Sequence, residues 1–384
     1  MISSMKFEHS PLGQLCLSLA ANRADELPNA GNLVNHLKEM DRNEEVVGHA
    51  ILGCLEFYCS PETNSVVKID NERGLLLLEM MELLLRACPE AAKYRDSRGA
   101  NVLHHACRSS QLSSTLCIDV MRLILAQHKN AVLEADVDRY LPVQLAATNC
   151  GPEVVEFLLD LYPETVRAVT STGANLLHLV VCSDPRTRVV PKVRCLCSRY
   201  PAMTRQMNIH GMLPIHVLTT TKNVKVIPAL YEAGGIEQFQ TPIAHPTNTA
   251  NISNGYLPLH SFIMYQLTYF GPLPSATSEA VDMLRCLLRL FPEAASIEGG
   301  LRAYKKTSYR MAVDRSLPSH IRRLLLRAAP ALNPTELRRL NYEQRRMAMF
   351  LALKAITAKH HAPFLMARLR EDNKDLIRLV VSFL

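Results

Sequence analysis

The chain has 384 residues, of which 48% are hydrophobic and 21% charged, and it contains no tryptophan. This balance is typical of a folded globular chain and excludes a disordered or collagen-like one. Eleven cysteines occur without a Cys-x-x-Cys pair, which favours a reduced, intracellular protein. No apolar run reaches the length of a transmembrane helix, so we expect a cytoplasmic or nuclear location.

The N-terminal part divides into two segments. Residues 1–31 carry one apolar stretch, Leu12 to Ala21, which has the length of a signal-peptide core. Only one lysine precedes it, so we expect a helix rather than a targeting signal, in a loosely ordered segment. Residues 32–95 hold three apolar runs, the last ending at Cys88-Pro89-Glu90. We predict that they form a degenerate capping repeat.

A glycine followed five residues later by a histidine recurs along the chain. Two further segments keep the spacing without these landmarks: Arg139 with Gln144, and Lys305 with Arg310. Successive frames begin 40, 34, 38, 44 and 50 residues apart. A period of this size with additions predicts a solenoid of helix pairs. The glycine–histidine pairs are Gly99 with His104, Gly173 with His178, Gly211 with His216, and Gly255 with His260.

These motifs resemble those of a known family. The sequences G-M-L-P-I-H-V at 211–217 and G-Y-L-P-L-H at 255–260 resemble the ankyrin signature, in which a turn precedes the start of the first helix. Residues 143–147, followed by 152–159, resemble its two-helix pattern. The Tyr/Phe-Pro-Glu helix ending resembles divergent ankyrin repeats of diatoms and related algae. The resemblance covers about residues 75–330 and implies an all-α, ankyrin-like helix-pair solenoid of six or seven repeats, with helical caps at both ends.

On this basis the repeat array extends over residues 96–330. It contains two insertions rich in turn-forming residues, at 236–254 and 265–277. Long loops on a rigid stack are frequent places for function. Residues 331–384 are predicted to form a basic, helical C-terminal cap.

The predicted first helix of each frame begins in one of two ways. Asn101 and Asn175 stand two residues after the glycine, where a side-chain oxygen can cap the first amides. The other three frames have leucine there, followed by a proline suited to the first helical position. The family's usual threonine is absent, so its bond to the histidine cannot be transferred, although the two asparagines are possible substitutes. The three leucines are Leu141, Leu213 and Leu257.

Catalytic and metal-binding patterns were weighed against structural roles. The four frame histidines occupy one equivalent place per repeat, and the resemblance implies that they bond to neighbouring backbone rather than to a metal. His105 with Cys107, and the Cys195-x-Cys197 pair, are more typical of core residues than of ligands. The sequence has no phosphate loop, H-E-x-x-H motif or nucleophile elbow. We therefore expect no enzyme, no metal site and no cofactor.

The resemblance implies a concave binding face made of turn tips and inner-helix ends, and hence a non-catalytic scaffold or adaptor for a partner protein. We expect the protein to be monomeric. Arg98, Tyr140, Met212 and Tyr256 are the expected anchors, since aromatic residues and arginine dominate interface hot spots. The candidate partner-binding residues are Arg98, Arg108, Asp138, Tyr140, Asn149, Thr172, His210, Met212, Thr221, Asn254 and Tyr256.

An alternative function rests on charge. Residues 300–384 contain 18 Lys and Arg against 6 Asp and Glu, a balance of +12, whereas the whole chain carries +7. This asymmetry indicates a possible anionic partner, either nucleic acid or a membrane surface. Adjacent arginine pairs on a helix point to diverging faces, which argues against a single stripe that follows phosphates.

Overall fold

The computed structural model describes residues 44–59, 71–108, 112–183, 188–221, 223–245, 254–265, 278–300 and 305–357. These ranges are mostly helical and contain sixteen α-helices. The helices are α1 (Glu44–Cys59), α2 (Asn71–Ala87), α3 (Val102–Arg108), α4 (Ser114–Gln127), α5 (Pro142–Asn149), α6 (Pro152–Leu161), α7 (Leu176–Cys182), α8 (Val189–Arg199), α9 (Pro214–Leu218), α10 (Ile227–Gly234), α11 (Glu237–Gln240), α12 (Pro258–Met264), α13 (Ser278–Leu290), α14 (Ser308–Asp314), α15 (Ser319–Ala328) and α16 (Pro334–Thr357).

The chain separates into two compact units. The first comprises residues 1–238 and 243–249, and the second comprises residues 239–242 and 250–384. The predicted 96–330 array is therefore divided between them, and the division falls within the predicted 236–254 insertion. The first unit contains α1 to α10, and the second contains α12 to α16.

Helices of the first unit pack in two rows. The first helices of successive pairs pack on one another, α3 on α5, α5 on α7 and α7 on α9. The second helices do the same from α2 through α4, α6 and α8 to α10. Each helix is apolar on the side that faces its neighbours, as in α6, where Val154, Val155 and Leu158 are fully buried and Asp160 is exposed. The sequence pattern thus matches the packing.

A short 3₁₀ helix follows most of the second helices. The residue before it ends the α-helix with an extended φ, for example −138° at Tyr162 and −137° at Tyr200. Proline at the next position disfavours the α conformation of the residue before it, which explains the Tyr/Phe-Pro-Glu ending. These 3₁₀ helices are Pro89–Lys93, Lys129–Leu133, Pro163–Arg167, Pro201–Arg205, Pro292–Ala295 and Pro330–Leu332.

Each frame glycine lies in a tight turn before the first helix of a pair. Its φ is 70° at Gly99, 69° at Gly173 and Gly211, and 85° at Gly255, which confirms the predicted positive φ. Arg139, the non-glycine member of the series, has a φ of 65°. The frame therefore specifies this conformation even where glycine is absent.

The predicted helix starts are also confirmed. The Asn175 side chain accepts a hydrogen bond from the His178 amide, and Asn101 does the same for His104. Leu141 and Leu213 each precede a proline at the first helical position. The two asparagines therefore cap their helices with a side-chain oxygen, whereas the leucine frames begin with a proline, which has no amide hydrogen to satisfy.

The second unit repeats this arrangement. Helix α12 packs on α14, α13 packs on α15, and α16 packs on α15. A two-stranded antiparallel ribbon, β1 (Glu298–Gly299) with β2 (Lys306–Thr307), precedes α14. Thr307 caps α14 by accepting a hydrogen bond from the Arg310 amide. The degenerate frame at Lys305 and Arg310 thus begins a helix, as the spacing predicts.

Several expectations concern residues outside the described ranges. These residues include the N-terminal segment 1–31 and the part of the second insertion after Tyr265. They also include the part of the predicted C-terminal cap that follows Thr357. The described part of helix α16 ends at Thr357.

Candidate binding surface of the first unit

The turn tips are held by a polar residue three positions before the frame glycine. The Asp136 carboxylate accepts hydrogen bonds from the amides of Asp138 (3.0 Å) and Tyr140 (2.8 Å). Asp96 and Asn208 do the same in their own tips. Side-chain oxygens that satisfy turn amides in this way fix the tip conformation. This role was not predicted, although Asp, Asn or Thr stands at that position in the four frames from Gly99 to Gly211.

Neighbouring tips are joined through their backbones. The Val137 amide donates to the Arg98 carbonyl (2.9 Å), and the Ile209 amide donates to the Thr172 carbonyl (3.0 Å). The Ala244 amide donates in the same way to Gly211 (3.2 Å). The tips at Arg98 and Val137 are therefore joined to each other, as are the tips at Thr172 and Ile209.

The frame histidines connect consecutive repeats. His104 Nε2 donates to the Tyr140 carbonyl (2.8 Å), and His178 Nε2 donates to the Met212 carbonyl (2.9 Å). The Nδ1 atom of each ring accepts the amide at the start of its own helix, 3.2 Å from Asn101 and 3.3 Å from Asn175. Since a carbonyl can only accept, Nε2 carries the hydrogen and the neutral ring satisfies both bonds.

The predicted bonding to neighbouring backbone is thus confirmed for these two histidines, and burial lowers the pKa of both. The Asn101 and Asn175 side chains lie 2.7 and 2.8 Å from the Nδ1 atoms. Both also donate to the following repeat, at Glu134 and Gln206 respectively.

The equivalent His260 of the second unit gives a testable pH dependence. Its Nε2 donates to the Ile297 carbonyl (3.1 Å), and burial lowers its pKa to about 4 despite this bond. The unfolded chain binds the proton near pH 6.5. Stability from this group is therefore complete above about pH 6.5 and is lost as pH falls towards 4, by roughly 2 to 3 kcal/mol at pH 4.5.

Chemical denaturation at pH 7 and at pH 4.5 checks this prediction. His260→Gln is the matched variant, because Gln144 already occupies the same frame position and its side-chain oxygen accepts the Leu141 amide (2.8 Å). We expect the variant to lose less stability than the parent chain between the two pH values. Equal losses would contradict a neutral His260 in the folded protein.

The tip candidates are exposed but already carry internal partners. Arg98 and Asp138, which are both exposed, form an ion pair at 2.6 Å between neighbouring tips. His210 and Thr172 are exposed, and the His210 ring lies 5.7 Å from that of His245. Charge at these tips is therefore largely paired within the protein.

The helix candidates are half-exposed and lie at the C-terminal ends of first helices. Arg108 contacts the buried carboxylate of Asp136 at 3.4 Å. Asn149 donates to the Leu145 carbonyl and Thr221 donates to the Leu218 carbonyl, both at 2.9 Å. The Thr221 hydroxyl hydrogen and one of the two Asn149 amide hydrogens bond to their own helices, which leaves both side-chain oxygens and the second amide hydrogen available to a partner.

One aliphatic series on the same helices was missed. Leu145, Leu179 and Val217 each follow the histidine position of their frame and are half-exposed. We call these three residues the aliphatic stripe. The tips add Val137 and Ile209, which are 66% and 48% exposed. The sequence contains a signal for this series, because a large aliphatic residue follows the histidine position in three consecutive frames.

The predicted binding residues Tyr256 and Asn254 do not lie on the exposed surface of the first unit. Tyr256 is not an exposed anchor: it is 5% exposed, and its ring stacks at 5.8 Å on His260 within the second unit. Tyr140 and Met212 are half-exposed, and their carbonyls serve the histidine bonds described above. Asn254 is half-exposed in the second unit and so does not belong to the first unit's surface.

The thiols of Cys107, Cys195 and Cys197 are poor nucleophiles. Cys107 is fully buried, and burial raises the pKa of Cys195 and Cys197 to about 11. Cys182 is exposed. Across the described residues, no cluster of three or more His, Cys, Asp and Glu side chains is placed to hold a metal ion.

Lys192 is a buried lysine whose ammonium group bonds to the C-terminal end of a neighbouring helix. Its ammonium group is 1% exposed and donates to the carbonyls of Ala147 (2.6 Å) and Cys150 (3.1 Å), at the end of α5. Burial lowers its pKa to about 8. A cation at the C-terminus of a helix satisfies carbonyls that have no partner within that helix.

No protein-family model matches the chain, and a comparison with curated proteins gives no match. In the part of the chain that the structure describes, no helix combines the length and apolar character needed to cross a membrane.

Proposed function

We propose that the chain is an ankyrin-like solenoid whose first unit acts as a non-catalytic adaptor, binding a segment of a partner protein. The binding surface consists of the linked turn tips and the exposed side of the first helices. The observation that carries the proposal is the aliphatic stripe of Leu145, Leu179 and Val217, half-exposed at one equivalent position in three consecutive repeats.

Charge cannot supply most of the affinity on this surface. Arg98 is paired with Asp138, and Arg108 contacts Asp136. A partner charge would have to compete with these contacts, and exposed ion pairs contribute little in any case. Burial of the stripe and of exposed tip residues such as Ile209 can contribute more to the binding free energy. The expected partner segment is therefore apolar rather than highly charged.

The polar residues beside the stripe define the hydrogen bonds it can make. Thr148, Thr220 and Thr221 each donate to a carbonyl of their own helix. Their oxygens therefore remain as acceptors, as does the amide oxygen of Asn149. The surface fits a partner that presents donors, such as unpaired backbone amides of an extended segment.

The spacing of the stripe suggests a sequence pattern for the partner. Packed helices lie about 8–10 Å apart, and an extended chain advances about 3.3 Å per residue. One repeat then corresponds to roughly three partner residues. A segment in the polyproline II conformation has three residues per turn and advances about 3.1 Å per residue, so apolar side chains at every third position would lie on one side and place one against each member of the stripe.

The test is affinity capture from nuclease-treated extract of the source cells, with the intact chain and two variants. The stripe variant is Leu145→Lys with Leu179→Lys and Val217→Lys. The control adds the same charge at exposed aliphatic positions elsewhere on the first unit: Leu75→Lys, Leu133→Lys and Leu161→Lys.

We expect a specific protein to be lost with the stripe variant, by more than tenfold, and retained by the control. Circular dichroism should show both variants folded. Synthetic peptides tiled across the captured protein would then identify the apolar segment. Equal capture by the stripe variant would reject this surface.

A further inference from the structure

The exposed side of α16 presents a second, independent surface in the second unit. Arg338, Tyr342, Arg345 and Met349 are spaced four, three and four residues apart, which places them on one face of a helix. Arg346 lies beside them, four residues after Tyr342. All five are exposed, Tyr342 by 66% and Met349 by 51%. We call these five residues the arginine face; it extends for about 16 Å.

The opposite side of α16 explains why this face is directed outward. Leu340 and Ala348 are each 1% exposed, and α16 packs on α15. Arg322 of α15 contacts Glu336 at 3.3 Å, which fixes the rotation of the helix at its N-terminal end. The register of α16 is thus set by the packed side and not by the arginines.

The arginine face carries uncompensated positive charge. The two acidic residues nearby are engaged elsewhere, because Glu336 contacts Arg322 and Arg339, and Glu343 contacts Arg339. In the described part of the chain, Arg338, Arg345 and Arg346 form no ion pair. Adjacent arginines do diverge, as the sequence indicates, but the seven-residue spacing aligns Arg338 with Arg345.

We propose that the arginine face docks on an anionic membrane surface. Three unpaired guanidinium groups match the phosphate and carboxylate groups of acidic lipids. Tyr342 and Met349 lie among them and match the boundary between headgroups and acyl chains. A bilayer supplies both layers without requiring a complementary shape, which suits the convex side of one helix. A single aromatic residue is a poor platform for stacking nucleic-acid bases.

The test is co-sedimentation of the full chain with phosphatidylcholine vesicles that contain phosphatidylserine, and with pure phosphatidylcholine vesicles. We expect retention only by the anionic vesicles. The triple variant Arg338→Gln, Arg345→Gln and Arg346→Gln should bind about a hundredfold more weakly, since each basic residue near the surface contributes about fivefold. Circular dichroism and thermal melting should remain unchanged for these exposed positions.

Two further variants separate this proposal from simple charge effects. A control with the same loss of charge in the first unit, Arg86→Gln with Arg122→Gln and Arg205→Gln, changes exposed arginines and should bind like the parent chain. Tyr342→Asn with Met349→Asn should bind at low salt but lose retention at higher salt, where charge is screened. If the control binds the anionic vesicles as weakly as the triple variant does, the loss of binding follows from net charge alone and the proposal is wrong.

Other anions provide the remaining outcomes. A single-stranded oligonucleotide and polyglutamate are titrated against the same variants. If either binds through the three arginines while anionic vesicles do not retain the chain, the partner is a nucleic acid or an acidic polypeptide and the membrane proposal is wrong. Failure to bind any of the three also rejects it.

Discussion

Replacing Gly211 with alanine is expected to lower the free energy of unfolding by more than about 3 kcal/mol. Gly211 has a φ of 69°, which is unfavourable for any residue with a Cβ atom. A Cβ atom there would overlap the Ala244 carbonyl group and lie 2.7 Å from the His245 amide nitrogen. The backbone cannot move away freely, because the Ala244 amide is bonded to the Gly211 carbonyl. Urea denaturation measures the loss.

Gly235 provides the control for conformational strain alone. Its φ is 65°, but a Cβ atom placed on it would have no neighbour within 4 Å. Gly235→Ala should therefore cost about 1 to 3 kcal/mol, the conformational penalty alone of a backbone with ψ at −166°, a region that is essentially restricted to glycine. If the two substitutions destabilise the protein equally, the close approach of the Ala244 segment to the Gly211 turn is not a feature of the folded protein.

Replacing His178 with alanine is the second large effect, at about 3 kcal/mol. The substitution removes the acceptor of the buried Asn175 amide and the donor to the Met212 carbonyl. It also leaves a cavity where a 2%-exposed imidazole packs. We expect the loss to be visible as a lower urea midpoint of the first unit.

Two variants test the reason for this loss. His178→Gln should restore part of the stability, because Gln144 performs the amide-accepting role in the preceding repeat. His210→Ala should have little effect, since that ring is exposed at a tip. A neutral result for His178→Ala would show that the histidine does not connect the repeats energetically.

The frame histidines and glycines are unsuitable positions for testing partner binding. Substituting a frame histidine or glycine changes folding, so a loss of partner binding in such variants says nothing about contact. The side chains of the arginine face are exposed, so variants of that surface test function directly. The side chains of the aliphatic stripe are partly buried, so its variants test function once circular dichroism shows that they are folded.

Local features of this chain follow from its sequence. The positive φ at Gly99, the cap at Asn175 and the helix ending at Tyr162-Pro163 each depend on residues within five positions of one another. Short-range sterics and hydrogen bonds decide such features, so a repeated motif reveals them. The prediction that His104 and His178 bond to neighbouring backbone also succeeded, because equivalent positions in a repeat have equivalent surroundings.

Exposure was decided only by the tertiary structure. Tyr140 and Tyr256 occupy the same frame position, yet one is half-exposed and the other is buried against His260. Lys192 lies in a helix whose sequence does not distinguish it from a surface lysine, and the end of α5 buries it. The sequence thus determined where helices begin and end, whereas the surfaces available to a partner depend on how neighbouring elements cover each side chain. That covering involves residues 30 or more positions apart, as in the 45-residue separation of Lys192 from Ala147, and a local pattern does not encode it.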